Sequence, residues 1–179
     1  MAKMTILRWE VLGFLFIVII GTALHFCYEW SGNFVPLALF CAVNESVWEH
    51  LKLGFWPGFF FALLEYIVWG KNRNNFLTAK ALSLFIMPAL IVALFYAYTA
   101  VLGTHLLAVD ILIFIVSVLF AQFISYQIIV SDRDYSSLDR PALVLLAAMV
   151  LAFSLFTYFP PKLQLFLDPK TGKPGIGTY

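Results

Sequence analysis

Apolar residues along this chain fall into five long runs that are separated by short polar stretches. The runs cover about 9–29, 53–70, 79–101, 105–130 and 141–159. A helix needs roughly 20 mostly apolar residues to cross the ~30 Å hydrocarbon core of a bilayer, and it satisfies its own backbone hydrogen bonds there. The pattern therefore predicts an all-α integral membrane protein with five transmembrane helices, which form a single membrane domain over residues 1–179.

A further apolar run, residues 34–43, is too short to cross a bilayer as a helix. Ten helical residues rise only ~15 Å, which is about half of the hydrocarbon core. This segment is expected to form a re-entrant or interfacial helix on one side of the membrane. The alternative is that it belongs to a sixth span.

The Lys and Arg residues favour the five-span topology, because cytoplasmic loops collect basic residues. With a cytoplasmic N-terminus, seven basic residues fall inside: Lys3, Arg8, Lys71, Arg73, Lys80, Arg133 and Arg140. Four fall outside: Lys52, Lys162, Lys170 and Lys173. A crossing by residues 34–43 would abolish this bias. The N-terminus is therefore predicted to be cytoplasmic, and the C-terminal tail, residues 160–179, extracytoplasmic.

Composition agrees with a membrane protein and limits the partners. The chain is 63% hydrophobic and 12% charged, whereas soluble domains have about 45–50% apolar and about 25% charged residues. The lipid bilayer is therefore the expected environment. A net charge of +1 without a basic run indicates no nucleic-acid partner.

Cys27 and Cys41 are the two cysteines of the chain. They are able to form a disulfide if both face an oxidising compartment, but spacing alone does not establish a pairing. The favoured interpretation is two small, unpaired apolar residues, because a free cysteine often behaves as a buried hydrophobe.

Polar residues concentrate in NESVWEH, residues 44–50, between apolar segments. The predicted topology also brings all three histidines to the outer side of the membrane. His25 and Glu29 are four residues apart on one helix, so they share a face. Imidazole and carboxylate groups suit a divalent metal such as zinc. The predicted ligands are His25, Glu29, Glu45, His50 and His105.

Two further acids have predicted catalytic roles beside this metal. Glu49 would act as the general base for a metal-bound water, and Asp110 would orient His50 or His105 by a hydrogen bond. The leading prediction is thus a metal-dependent hydrolase acting on a lipid or another amphiphile. A simpler interpretation makes Ser46 and Glu49 a capping box at a helix start. Lys52 is expected to snorkel, or to pair with Glu49 or Glu45.

A transporter is the second prediction, because acids within spans are expensive and usually functional. Asp110 and Glu65 would titrate, and Gln122 and Ser125 would extend a polar track. Glu65 has a structural alternative, which is an ion pair with Arg8. The half-helix 34–43 would help to form the binding site, as broken helices do in transporters.

Such a small transporter is expected to be an oligomer. Gly54 and Gly58 form a small-xxx-small pair that would let two helices approach closely in a homodimer. A non-catalytic membrane assembly subunit is the third prediction.

The tail has two open interpretations. It folds back over the outer face as a lid with Leu163, Leu165 and Leu167 as its apolar edge, or it is a loosely ordered end.

Three stretches carry a resemblance to a known family: HFCYEWSGNF, AVNESVWEHLKL and the ending LFLDPKTGKPGIG. They resemble a family of small bacterial multi-span membrane proteins of unknown function that carries an Asn-Glu-Ser-x-Trp-Glu-His-Leu-Lys motif. The resemblance implies a bacterial cytoplasmic membrane and brings no activity.

Overall fold

The computed structural model describes residues 2–176, and these form five long α-helices. The helices are α1 Lys3–Trp30, α2 Val47–Val68, α3 Phe76–Leu102, α4 Leu107–Ile129 and α5 Asp139–Leu155. Each is long and apolar enough to cross a membrane, counting α5 with the turn that precedes it from Ser136. The prediction of five apolar helices in an all-helical chain is therefore confirmed.

Consecutive helices run in opposite directions, so the bundle has two ends. The amino-terminal end holds the starts of α1, α3 and α5. There Lys80 of α3 contacts Glu10 of α1, and Asn75 donates a hydrogen bond to the carbonyl of Ile128 near the end of α4, at 3.3 Å. The tail end holds the start of α2 and residues 160–176. All the predicted metal ligands come from segments at the tail end.

Helix α2 is the centre of the bundle. In its most apolar window 61% of the residues are buried, compared with 22% in each of α1, α3 and α4. The charged residues Glu49, Lys52 and Glu65 of α2 are accordingly buried inside the protein. The other helices expose broad apolar faces, which include Leu12, Ile19, Leu112 and Val144.

Gly54 and Gly58 lie where α2 packs closely against α3. A Cβ atom on Gly54 would come within 3.0 Å of the Met87 side chain, and one on Gly58 within 2.8 Å of the Leu84 side chain. The two glycines do allow a close approach of helices, as predicted, but the helices are α2 and α3 of the same chain. These glycines therefore leave no free surface for the homodimer contact that was predicted for them.

Residues 34–43 stay at the tail end and do not form a span. They contain a 3₁₀ helix, Val35–Leu39, and the N–H of Ala42 donates to the carbonyl of Leu24 on α1 at 3.3 Å. A disulfide joins Cys27 of α1 to Cys41. The expectation of unpaired cysteines was wrong, because the fold-back of this segment brings the two thiols together.

The tail packs over the end of the bundle. Of the two interpretations of the tail, a lid or a loosely ordered end, the structure agrees with the lid. Asn44 donates a side-chain hydrogen bond to the carbonyl of Gly175 at 2.9 Å. The Trp48 ring lies between Phe153 and Phe166, with centroid distances of 4.6 and 4.7 Å. An isolated bridge pairs Leu167 with Pro174. Of the predicted tail, residues 177–179 lie outside the described part of the chain.

Candidate metal centre

The start of α2 is fixed by side chains of the NESVWEH stretch. Ser46 is the N-cap, and its hydroxyl accepts a hydrogen bond from the N–H of Glu49 at 3.4 Å. The side chain of Asn44 in turn accepts from the N–H of Ser46 at 2.8 Å. The predicted cap at Ser46 is confirmed. These bonds hold Glu45 just before the helix and His50 in its first turn.

Three of the predicted ligands meet between α1 and the start of α2. His25, Glu45 and His50 each offer a ligand atom, and the three atoms lie within 4.8 Å of one another. The two imidazole rings have centroids 5.1 Å apart. Nε2 of His50 lies 3.5 Å from Oε2 of Glu45. All three residues are half-buried, so the cluster sits near the surface of the tail end.

Hydrogen bonding leaves ring nitrogens of this cluster available to a ligand. Nδ1 of His50 lies 2.8 Å from the carbonyl oxygen of Ser46. A carbonyl only accepts, so Nδ1 carries a proton. In the protonated ring Nε2 also carries a proton and donates it towards Glu45, whereas in the neutral ring Nε2 has a lone pair that a metal ion could bind. Nδ1 of His25 is buried and has no hydrogen-bond partner within residues 2–176. A buried nitrogen without a hydrogen-bond partner is able to serve as a metal ligand.

The Glu45 carboxylate is held in its ionised form. Its hydrogen bond from His50 is the main cause that lowers the pKa of Glu45 to about 2, although partial burial opposes the shift. Lys170 of the tail adds to the effect, because its Nζ lies 3.2 Å from Oε1. The carboxylate thus has one oxygen bound by the tail and the other directed at His50. Such an outer partner is typical of a metal-ligating carboxylate.

The donor set fits zinc. Two imidazoles and one carboxylate match the three protein ligands of catalytic zinc sites, which keep a fourth position open for water. Bond lengths of ~2.0–2.1 Å place tetrahedral ligands ~3.3 Å apart. The separations here are at most 4.8 Å, so small side-chain rotations would bring the three atoms to a common ion.

The structure does not bring the other two predicted ligands into this cluster. His105 lies at the connection between α3 and α4, where its Nδ1 is 3.0 Å from Oδ2 of Asp110. Tyr98 donates to the other oxygen of Asp110. Asp110 therefore contacts His105, one of its two predicted partners, at a place apart from the cluster. Glu29 is exposed at the end of α1 and is not one of the three clustered residues.

Glu49, the predicted general base, lies in a buried ion pair. Its Oε2 is 2.5 Å from Nζ of Lys52, and the two side chains are 1% and 0% exposed. The carboxylate also accepts from the N–H of Val43 at 3.0 Å and from the Thr157 hydroxyl at 3.1 Å. Nζ of Lys52 donates to the carbonyl of Ala38 at 2.7 Å. This pair ties α2 to the 34–43 segment and to the end of α5, and every oxygen of Glu49 is engaged.

A second charged cluster lies at the amino-terminal end. Glu65 was predicted to have a role there, but its contact with Lys80 and Glu10 was not predicted. Lys80 lies 2.6 Å from Glu65 and 2.8 Å from Glu10. Glu65 is therefore paired with Lys80 and not with Arg8, the partner that its depth had suggested. The available signal was that Glu10 and Lys80 both fall inside predicted spans, where charges need partners.

Together, five apolar helices and charged groups buried among them have the character of a multi-pass membrane protein. The chain belongs to a family of unknown function, DUF6512, whose model matches residues 1–176. No curated protein and no solved structure matches the chain.

Proposed function

We propose that this protein spans the bacterial cytoplasmic membrane five times, with its N-terminus in the cytoplasm and its tail end outside. The apolar helices and the distribution of Lys and Arg support this orientation. The disulfide between Cys27 and Cys41 is a second, independent argument. Disulfides persist in oxidising compartments and are rare in the cytosol, so the tail end belongs on the outer side.

The function proposed for the tail end is binding of a divalent metal, zinc above all, by His25, Glu45 and His50. The observation that carries the proposal is the approach of two imidazoles and one ionised carboxylate to within 4.8 Å. The unpartnered Nδ1 of His25 supports it further. A fourth position open to water distinguishes such a site from a closed structural zinc site.

The reaction that suits this site is hydrolysis. A zinc-bound water has a pKa near 7 and becomes a nucleophile at neutral pH. At the end of the spans the cluster lies at headgroup level, which suits a lipid or another amphiphile as the substrate. Glu49 does not serve as the base in this proposal, because its oxygens are engaged. Glu29 replaces it, because its carboxylate is exposed one helical turn from His25.

Zinc binding to protein stripped with a chelator in detergent tests the metal site. We expect one zinc per chain, and binding weakened at least tenfold in His25→Ala, Glu45→Gln and His50→Ala. His105→Ala is the matched control, because this histidine pairs with Asp110 away from the cluster. Equal binding by all four variants and the wild type would refute the site.

Hydrolysis is tested separately with a fluorogenic phospholipid in mixed micelles. The proposal predicts cleavage that requires zinc and is lost in His50→Ala and strongly reduced in Glu29→Gln. Zinc binding without zinc-dependent cleavage of this probe would count against lipid hydrolysis and leave the metal site standing.

Transport is a second candidate function, and the buried cluster at the amino-terminal end favours it. Charged groups at this depth are rare and often form proton or ion pathways. Proton flux into liposomes that contain the protein would identify this function, and metal removal would not affect it.

A further inference from the structure

Four helices meet around one buried charged cluster at the amino-terminal end. Lys80 of α3 bridges Glu10 of α1 and Glu65 of α2, at 2.8 and 2.6 Å. Helix α4 adds two neutral groups: Ser125 donates its hydroxyl proton to Glu10 at 2.8 Å, and the Gln122 amide donates to the backbone carbonyl of Glu10 at 3.1 Å. Every one of these side chains is at most 8% exposed.

The charges in this cluster do not balance. Two carboxylates face a single ammonium, and the neighbouring groups from α4 are uncharged. With both carboxyls ionised, the cluster would carry one uncompensated negative charge in an apolar interior. A buried charge without a partner is strongly disfavoured, and a carboxyl in that position takes up a proton instead. Two coupled acids in one site then share one proton.

Hydrogen bonding indicates which carboxyl holds the proton. Glu10 receives two donors, the Lys80 ammonium and the Ser125 hydroxyl, and both stabilise its ionised form. Glu65 has only the Lys80 ion pair. Each carboxyl also has an oxygen that is buried without a hydrogen-bond partner in the described chain, Oε2 of Glu10 and Oε1 of Glu65, so the number of donors distinguishes the two acids. The neutral acid is thus better tolerated at Glu65.

We propose that Glu10, Lys80 and Glu65 form a proton-binding site, and that Glu65 carries one exchangeable proton at neutral pH. Glu65 lies in the last turn of α2, which ends at Val68. The amino-terminal end is thus the nearer side for exchange of this proton with the solution, although the side chain itself is buried. This site is separate from the metal centre and does not depend on it.

The buried ion pair at the tail end can be compared with this cluster. There Glu49 and Lys52 are buried as deeply, at 1% and 0% exposure, but they pair one to one. That pair is neutral with both groups charged and holds no extra proton. The difference between the two buried clusters is the count of carboxyls per lysine.

Infrared spectroscopy of the purified, full-length protein at neutral pH tests the inference. A protonated carboxyl has a carbonyl stretching band well resolved from those of carboxylates and amides. We expect this band in the wild type and a shift of the band in deuterated buffer. It should disappear in Glu65→Gln, because Glu10 and Lys80 then balance each other. Glu49→Leu combined with Lys52→Met is the control, because it removes the other buried carboxylate together with its lysine, and it should keep the band.

Glu10→Gln provides an independent variant, because it too leaves one carboxylate and one lysine and should lose the band. It also serves if Glu65→Gln fails to fold, which circular dichroism would reveal. The proposal is overturned if the wild type has no such band, if the band survives in folded Glu65→Gln or Glu10→Gln, or if it does not shift in deuterated buffer.

Discussion

The imidazole rings of His25 and His50 lie with their centroids 5.1 Å apart, although they belong to different helices. Close approach of two imidazoles is unfavourable when both are protonated, because like charges repel. A metal ion between the rings would turn this repulsion into shared coordination. The contact is therefore compatible with at least one neutral ring, and a metal ion bound by both rings would stabilise it further.

Glu49→Gln should destabilise the protein, because it leaves the ammonium of Lys52 buried without its counter-ion. Removing one partner of a buried ion pair typically costs about 3–5 kcal/mol. Lys52→Met should cost a similar amount, whereas Glu49→Leu combined with Lys52→Met should recover much of it. Thermal unfolding in detergent measures this. Additive losses in the double variant would show that the two residues do not act as a pair.

Lys170→Ala tests an exposed ion pair, in contrast to the buried pair of Glu49 and Lys52. Lys170 is 72% exposed where it meets Glu45, and an exposed ion pair contributes only about 0–1 kcal/mol. The unfolding midpoint should therefore change little. A loss as large as that of Lys52→Met would mean that the tail contact is a major source of stability.

Glu45 should make the stability of the metal-free protein depend on pH. The pKa of Glu45 is lowered from 4.5 to about 2 in the fold, so its ionised form is the one that the fold stabilises. That contribution is present above about pH 4.5 and is lost as the pH falls from 4.5 towards 2. The wild type should thus melt above Glu45→Gln at pH 6 and lose this advantage in that acid window. A difference that is constant down to pH 2 would contradict the ion pairing.

The Cys27–Cys41 disulfide should stabilise the tail end. It closes a loop with a sequence separation of 14 residues, for which chain entropy predicts about 3 kcal/mol. Cys27→Ser should lower the unfolding midpoint under oxidising conditions and match the wild type after reduction. Thiol labelling of unreduced protein checks the bond directly, since two reactive thiols would rule it out.

Reporter fusions test the proposed orientation. A reporter after residue 179 should be extracytoplasmic, and one inserted near Asn74, between α2 and α3, should be cytoplasmic. The opposite pattern would put the disulfide and the histidine cluster in the reducing cytosol and would remove the second argument for the orientation.

The helices could be predicted from the sequence because a run of about 20 apolar residues is a local signal. The apolar run alone placed the second span at 53–70, whereas the capping interpretation placed the helix start at Ser46, which is the N-cap of α2. Its first turns contain Glu49, His50 and Lys52, which lower the local hydropathy although they belong to the helix.

Contacts between helices were predictable only in part. His25 and His50 were expected near each other because both lie at the same side of the membrane in the predicted topology. That argument gives depth but not direction around the helix axis. It therefore also included His105, which points to Asp110, and it could not reveal that Lys80 reaches both Glu10 and Glu65.

The metal content of protein purified from its own membrane, without added metal, tests the central claim most directly. Elemental analysis should find about one zinc per wild-type chain and per His105→Ala chain, and much less in His50→Ala and His25→Ala. No divalent metal in the wild type, or the same content in all four proteins, would contradict the proposal that His25, Glu45 and His50 form a metal centre.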